Sequence, residues 1–225
     1  KMRIMTDENR LQAEQNLRQK LMECRAASHN YQRDFGHPLF LLDTPAKRLP
    51  AREYPECRAF SNREAMMKAM GLGAVGVEVG VAFGGFSRFI LKNCAVETLH
   101  LIDRGFERLL PDVEADPRTV LHEGDSAEMV AKLADASADW IYIDADHRYD
   151  GCRADAQAAK AKLKPEGLLF FNDYSVWAPM NFLAWGVPAV VHEFLEEGWI
   201  LRGITLGDQF GSHDVVVSAP GTAQS

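Results

Sequence analysis

The sequence predicts a doubly wound α/β fold, a mostly parallel seven-stranded sheet closed by a C-terminal antiparallel hairpin. Three observations carry this expectation. Five short, mostly apolar segments at 74–79, 98–103, 119–122, 139–144 and 167–172 alternate with helical patterns, notably 126–136 and 149–164, and strands that alternate with helices build a parallel sheet. A glycine cluster, Gly80, Gly84 and Gly85, separates the first of these strands from the helix-like run FSRFILKN. Strand, glycine turn and helix in that order let backbone approach a ligand where any Cβ would clash. The segments 199–205 and 213–219 read as two strands joined by a turn at 207–211, a hairpin rather than another crossover.

The remaining elements follow in chain order. Residues 6–27 read as a helix with Thr6 as N-cap, Asp7 and Glu8 in the first turn, and Leu11, Leu17, Leu21 and Cys24 near one face. Such a narrow stripe suits packing on the domain or on a second copy, so a homo-oligomer is expected. From 28 to 59 the text is irregular and punctuated by Pro38, Pro45, Pro50 and Pro55, the signature of a lid or binding loop. Ser61 and Glu64 have the spacing of a capping box. The helix they open carries Met66, Met67 and Met70, a cluster expected to fill core. Residues 188–198 read as a further helix. The expected organisation is an N-terminal helix and lid-like extension over 1–59, a catalytic domain over 60–219 and a disordered tail over 220–225.

Composition narrows the partners. With 225 residues and 47% hydrophobic content, the chain can bury one substantial core. A formal charge of -7 gives no general support for a nucleic-acid partner. Cys24, Cys57, Cys94 and Cys152 lie far apart, so neither a zinc knuckle nor a disulfide framework is indicated. No apolar run reaches membrane-span length and the start KMRIMTDENR lacks a signal-peptide core, so no membrane partner and a cytoplasmic location are expected.

Two ligands compete for the glycine loop. Gly80, Ala82 and Gly85 form a degenerate G-x-G-x-x-G, which points to a dinucleotide and a nicotinamide dehydrogenase. Glu78, Gly80 and Gly84 form E-x-G-x-x-x-G instead. A carboxylate at that strand end would repel a pyrophosphate but suits an ammonium or sulfonium ligand. Ligands of open α/β sheets bind beyond the carboxyl ends of the strands, and there the sequence sets Glu78, Asp103, Asp125 with Ser126, Asp144, and Asn172 with Asp173. Asp103 falls 19 residues after Gly84, close to the ~20-residue spacing of a ribose-binding carboxylate.

The loop with its preceding acid, the segment WIYIDADHRYDGCRADAQAAKAKLKPEGLLFFNDY and the closing hairpin resemble class I S-adenosylmethionine (SAM) dependent methyltransferases, within them the bacterial macrocin-type and catechol O-methyltransferase-like enzymes. The resemblance covers about residues 60–218. It implies a Rossmann-like fold, SAM as cofactor, a small-molecule acceptor methylated on oxygen, and an adenine site at Asp125 and Ser126, where Ser126 equally suits a helix N-cap. It further implies a Mg²⁺ site at Asp144, Asn172 and Asp173, oxygen ligands that strand ends about 4.8 Å apart can bring together. Asn172 departs from the carboxylate found in some relatives and removes a charge from that site. Asp146 and His147 are then the candidate catalytic bases, with Asp144 serving the SAM ammonium if no metal is used. Trp177, Phe182 and Trp185 are candidate acceptor contacts. A catalytically silent SAM-binding module is the remaining alternative.

Overall fold

A computed structural model describes residues 7–36, 44–45, 47–178, 183–207 and 212–220. The chain divides into two compact units, Lys1–Asp43 and Thr44–Ser225.

In the first unit, helix α1 spans Asp7–Phe35, well past the end at 27 that the apolar stripe suggests. Nothing between 27 and Gly36 stops a helix, because neither Pro nor Gly intervenes. Gly36 ends it in the left-handed region at φ +79, where glycine carries no Cβ penalty. The Arg10–Glu14 and Lys20–Glu23 pairs are spaced to support a solvated helix. Leu11, Leu17 and Leu21 are exposed. Thr6, the expected N-cap, lies outside the described residues.

The second unit contains β1 (Arg58–Phe60), α2 (Arg63–Ala69), β2 (Val75–Val79), α3 (Gly85–Asn93), β3 (Thr98–Asp103), α4 (Pro111–Glu114), β4 (Thr119–Glu123), α5 (Ser126–Lys132), β5 (Ala138–Ile143), α6 (Tyr149–Lys160), β6 (Leu163–Phe171), β7 (Trp177–Ala178), β8 (Leu183–Ala184), α7 (Val187–Glu196), β9 (Ile200–Thr205) and β10 (Val215–Ser218). The main sheet has eight strands in the order β1-β9-β10-β6-β5-β2-β3-β4. β4, β3, β2, β5 and β6 run parallel, and β10 is antiparallel to both β6 and β9. The expected fold class is therefore present, with one strand more than the sequence suggested. That strand, β1, is three residues long and buries only Phe60, too little for period-2 patterning to reveal.

Local differences have local causes. Asn62, not Ser61, caps α2, its side-chain oxygen accepting from the Ala65 N–H at 2.9 Å, which leaves Glu64 too early for a capping box. α6 stops at Lys160 rather than 164 and β6 begins at Leu163, because a residue before proline, here Lys164 before Pro165, is pushed out of helical conformation. Residues 47–57 are tied to α7 and the turn after it: Arg52 donates to the carbonyls of Leu195 and Trp199 at 3.1 and 3.2 Å. Of the expected lid, residues 28–35 are thus helical and 47–57 are tied to the domain body. Residues 37–43 and most of the tail lie outside the described residues.

Core forms on both faces of the sheet. Val77, Val79, Ile141, Ile143, Leu169 and Phe171 face α6 and α7 residues on one side. Trp140, Tyr142, Phe170, Leu99 and Leu101 pack with Met66, Met67, Phe86 and Ile90 on the other, so the methionines fill core as expected. Each such side chain contributes roughly 1.5–3 kcal/mol by burial. The sheet is thereby fixed as a rigid base, and strand order reverses between β2 and β5. Crevices at such a point are where open α/β sheets take ligands.

Candidate active site

The glycine loop leaves β2 beside the end of β5. Gly80 has φ +89, and a Cβ there would lie 2.2 Å from the carbonyl oxygen of Asp144, so only glycine fits. Asp103 at the end of β3 ties the loop down: its Oδ2 accepts from the Val81 and Ala82 N–H groups at 2.8 and 2.9 Å. Its Oδ1 accepts from the Arg104 N–H at 2.7 Å. Beyond these strand ends opens a cleft of about 530 Å³ bordered by Gly80, Ala82, Asp103, Arg104, Ser126, residues 144–148, Leu183 and Trp185.

Of the expected cofactor residues, Gly80, Asp103, Ser126 and Asp144 border this cleft, whereas Glu78, Gly84 and Asp125 do not. Gly84 serves as the left-handed N-cap of α3 at φ 78. Asp125 caps α5 by accepting from the Glu128 N–H at 3.2 Å, which corrects the assignment of that cap to Ser126. Glu78 is only 1% exposed and accepts from the Ser87 hydroxyl at 2.6 Å. Burial pushes its carboxyl up to about 8 despite that bond. Burial thus favours the protonated form of Glu78, and its side chain does not border the cleft.

Asp144, Asn172 and Asp173 do come together, and the atom they surround is Nε2 of His147. Asp144 Oδ1 lies 3.4 Å from it, Asp173 Oδ2 3.3 Å and Asn172 Oδ1 3.2 Å. All three are acceptors, so Nε2 carries a hydrogen, a tautomer assigned from its partners. Among the described residues none partners Nδ1. Burial works against a charged imidazole, but the Asp144 bond and charge with Asp173 outweigh it and hold the ring above its ordinary value. Trp185 stacks on His147 with centroids 4.8 Å apart. Gly186 makes that approach possible, since a Cβ there would lie 2.3 Å from the Tyr149 Cα.

The expected Mg²⁺ site does not fit this arrangement. Nε2 of His147 fills the point where the three oxygens meet, and Asp144 Oδ2 faces Arg63 at 3.6 Å. Asp173 Oδ1 accepts from the Ser212 hydroxyl. No group of three or more His, Cys, Asp or Glu among the described residues is arranged to hold a metal ion, and a six-coordinate ion would require the imidazole to leave. Asp146 is a poor base as well, because Arg148 donates to its carboxylate from its backbone N–H and its guanidinium and holds it below the usual range.

Of the expected acceptor contacts, Trp185 borders the cleft, Trp177 does not, and Phe182 lies outside the described residues. A second cavity of about 380 Å³ is bordered by Asn172 and Asp173 together with Arg63, Thr205 and Asp214. Sequence reasoning missed Asp214. It considered acids only at the carboxyl ends of strands, yet Asp214 precedes β10, an antiparallel strand whose first residue pairs with Phe171 at the end of β6. The beginning of an antiparallel strand occupies the same rim as the ends of its parallel neighbours.

Residues 77–174 match the family model of a methyltransferase domain. No curated protein matches the sequence significantly. Among solved structures, the N-methyltransferase NodS from Bradyrhizobium japonicum is similar over 70% of this chain and 94% of its own, at 20% identity and a TM-score of 0.53. A Corynebacterium glutamicum protein is similar over 95% of this chain and 100% of its own, at 17% identity and a TM-score of 0.54. Spermidine synthase from Thermotoga maritima is similar over 72% of this chain but only 58% of its own, at 18% identity and a TM-score of 0.51. At these identities the likeness is one of fold. No helix among the described residues is long and apolar enough to cross a membrane. Residues 77–174, fewer than half of the chain, are thus similar to a methyltransferase domain, set in a fold that an N-methyltransferase shares.

Proposed function

We propose that the protein transfers a methyl group from SAM to a hydroxyl of a small molecule, with His147 as general base and without a metal. The observation that carries this reading is the imidazole held at Nε2 by three oxygens on the wall of the cleft that begins at the glycine loop. SAM supplies an electrophilic methyl on a sulfonium. Gly80 and Ala82 give the cofactor close backbone approach, and Asp103 is the ribose-side carboxylate. Asp144 faces both the cleft and His147, which suits a cationic cofactor and an imidazolium in turn. His147, anchored through Nε2, receives the acceptor's proton at Nδ1, and Asp144 and Asp173 stabilise the cation that results, the logic by which a carboxylate supports a catalytic histidine.

A base favours oxygen over nitrogen as acceptor. A neutral amine attacks with its own lone pair, whereas a hydroxyl of high pKa must lose its proton as the methyl arrives. Mg²⁺, implied by the resemblance, has no step in this reading. The test of cofactor choice is calorimetry with SAM and with NAD on wild type and Asp103→Ala. SAM should bind, and the substitution should weaken it by on the order of 2 kcal/mol, the scale of a charge-assisted hydrogen bond. Heat with NAD and none with SAM would overturn the reading. Labelled-methyl transfer across panels of hydroxylated and amine acceptors then tests the oxygen preference.

A further inference from the structure

We infer that Asp214 is a positioning residue whose pairing with Asn172 makes this cluster hold an imidazole rather than a divalent cation. Asp214 is buried immediately before β10. Its Oδ1 accepts from Asn172 Nδ2 at 3.0 Å and its Oδ2 from the Tyr142 hydroxyl at 2.6 Å, while its own N–H donates to Thr205 Oγ1 at 2.8 Å. A side-chain amide has one donor end and one acceptor end. Asp214 takes the donor end, so the acceptor end faces His147 Nε2 at 3.2 Å. The point between Asp144, Asn172 and Asp173 therefore meets two carboxylates and one neutral oxygen, a set that a single N–H satisfies.

The same pair explains why position 172 holds an amide. A carboxylate at 172 would face that of Asp214 at the present 3.0 Å separation, and like charges at that distance repel strongly when buried. Exchanging the two residues, Asn172→Asp with Asp214→Asn, reverses the bond between them, keeps the bonds from Tyr142 and His147 in their present sense, and gives up the 3.4 Å contact from Asn172 Nδ2 to the Tyr142 hydroxyl. The new amide at 214 would donate to the carboxylate at 172 and still accept from Tyr142. At the meeting point the change is a third carboxylate, and hard divalent ions prefer several charged oxygens.

The inference rests on the reading of His147 as the base, but the two fail separately, because metal binding is measured without an acceptor or turnover. Mn²⁺ titrations of the full chain followed by electron paramagnetic resonance should show the exchange variant binding on the order of tenfold tighter than wild type or better. In wild type, Mg²⁺ should leave the ¹⁵N resonances of His147 unmoved, with Nε2 protonated and Nδ1 unprotonated in the neutral ring. Equal Mn²⁺ affinity in the two proteins would overturn the inference. So would a wild-type His147 signal that shifts with Mg²⁺, and that measurement decides the matter alone if the exchange variant does not fold.

Discussion

His147 and Glu78 show how burial and partners set the working charge of single residues. The carboxylates around His147 hold its imidazole above its ordinary 6.5, and a base acts in its neutral form. Turnover should therefore climb as pH rises through a value above 6.5, and His147→Ala should lower kcat by about 100-fold or more with SAM affinity nearly unchanged in calorimetry. Unaltered turnover in that variant would remove His147 from the chemistry. Glu78 carries the opposite consequence for stability. An acid raised from 4.5 to about 8 in the fold contributes stability that is complete below 4.5 and is lost as pH rises through about 8. Glu78→Gln keeps an acceptor for Ser87 but does not titrate, so its melting temperature relative to wild type should rise between pH 5 and pH 9. A difference that stays flat across that range would show that Glu78 is not protonated in the fold.

At the scale of elements, the loop between β2 and α3 and the helix α1 make contrasting demands. The loop is determined by contact: Gly80 sits against the Asp144 carbonyl and Asp103 grips two loop amides, so the cleft-facing backbone is held in place by the protein itself. α1 is long, solvated and bears exposed Leu11, Leu17 and Leu21. A second copy of the chain is the partner proposed for that stripe, since a closed oligomer is a common way to bury it. Because α1 runs to Phe35, the informative truncation removes everything before Thr44. Light scattering should then report a lower assembly mass than for the full chain, and a monomer both before and after truncation would dispose of the oligomer.

At the scale of the eight-stranded sheet there are two cavities near the strand ends, the 530 Å³ cleft at the β2/β5 reversal and the 380 Å³ cavity bordered by Asn172 and Asp173. The proposed base, His147, borders the first of them. Methyl transfer should consequently survive exhaustive EDTA treatment with its rate within about twofold of the untreated protein, the scatter expected when no metal lowers the acceptor pKa. A loss of turnover that Mg²⁺ restores would reinstate an ion at Asp144, Asn172 and Asp173.

The sequence by itself determined what depends on local periodicity and on one backbone requirement. Apolar runs alternating with helical patterns gave the parallel sheet, and the short connection after Thr205 gave the antiparallel pair. A glycine at position 80 announced a close approach before the approaching atom was known. The acids at the ends of β3 and β5, Asp103 and Asp144, were legible because strand ends in such folds share one rim. Only the tertiary structure decided what those acids face. Glu78 reads as a charge in the sequence, but the packing of α3 over β2 buries it against Ser87 and raises its carboxyl. Asn172 reads as a weakened metal ligand, yet Asp214, 42 residues later, turns its amide so that the site holds an imidazole. Charge state and hydrogen-bond direction depend on neighbours from other strands, and no spacing along one chain segment encodes them.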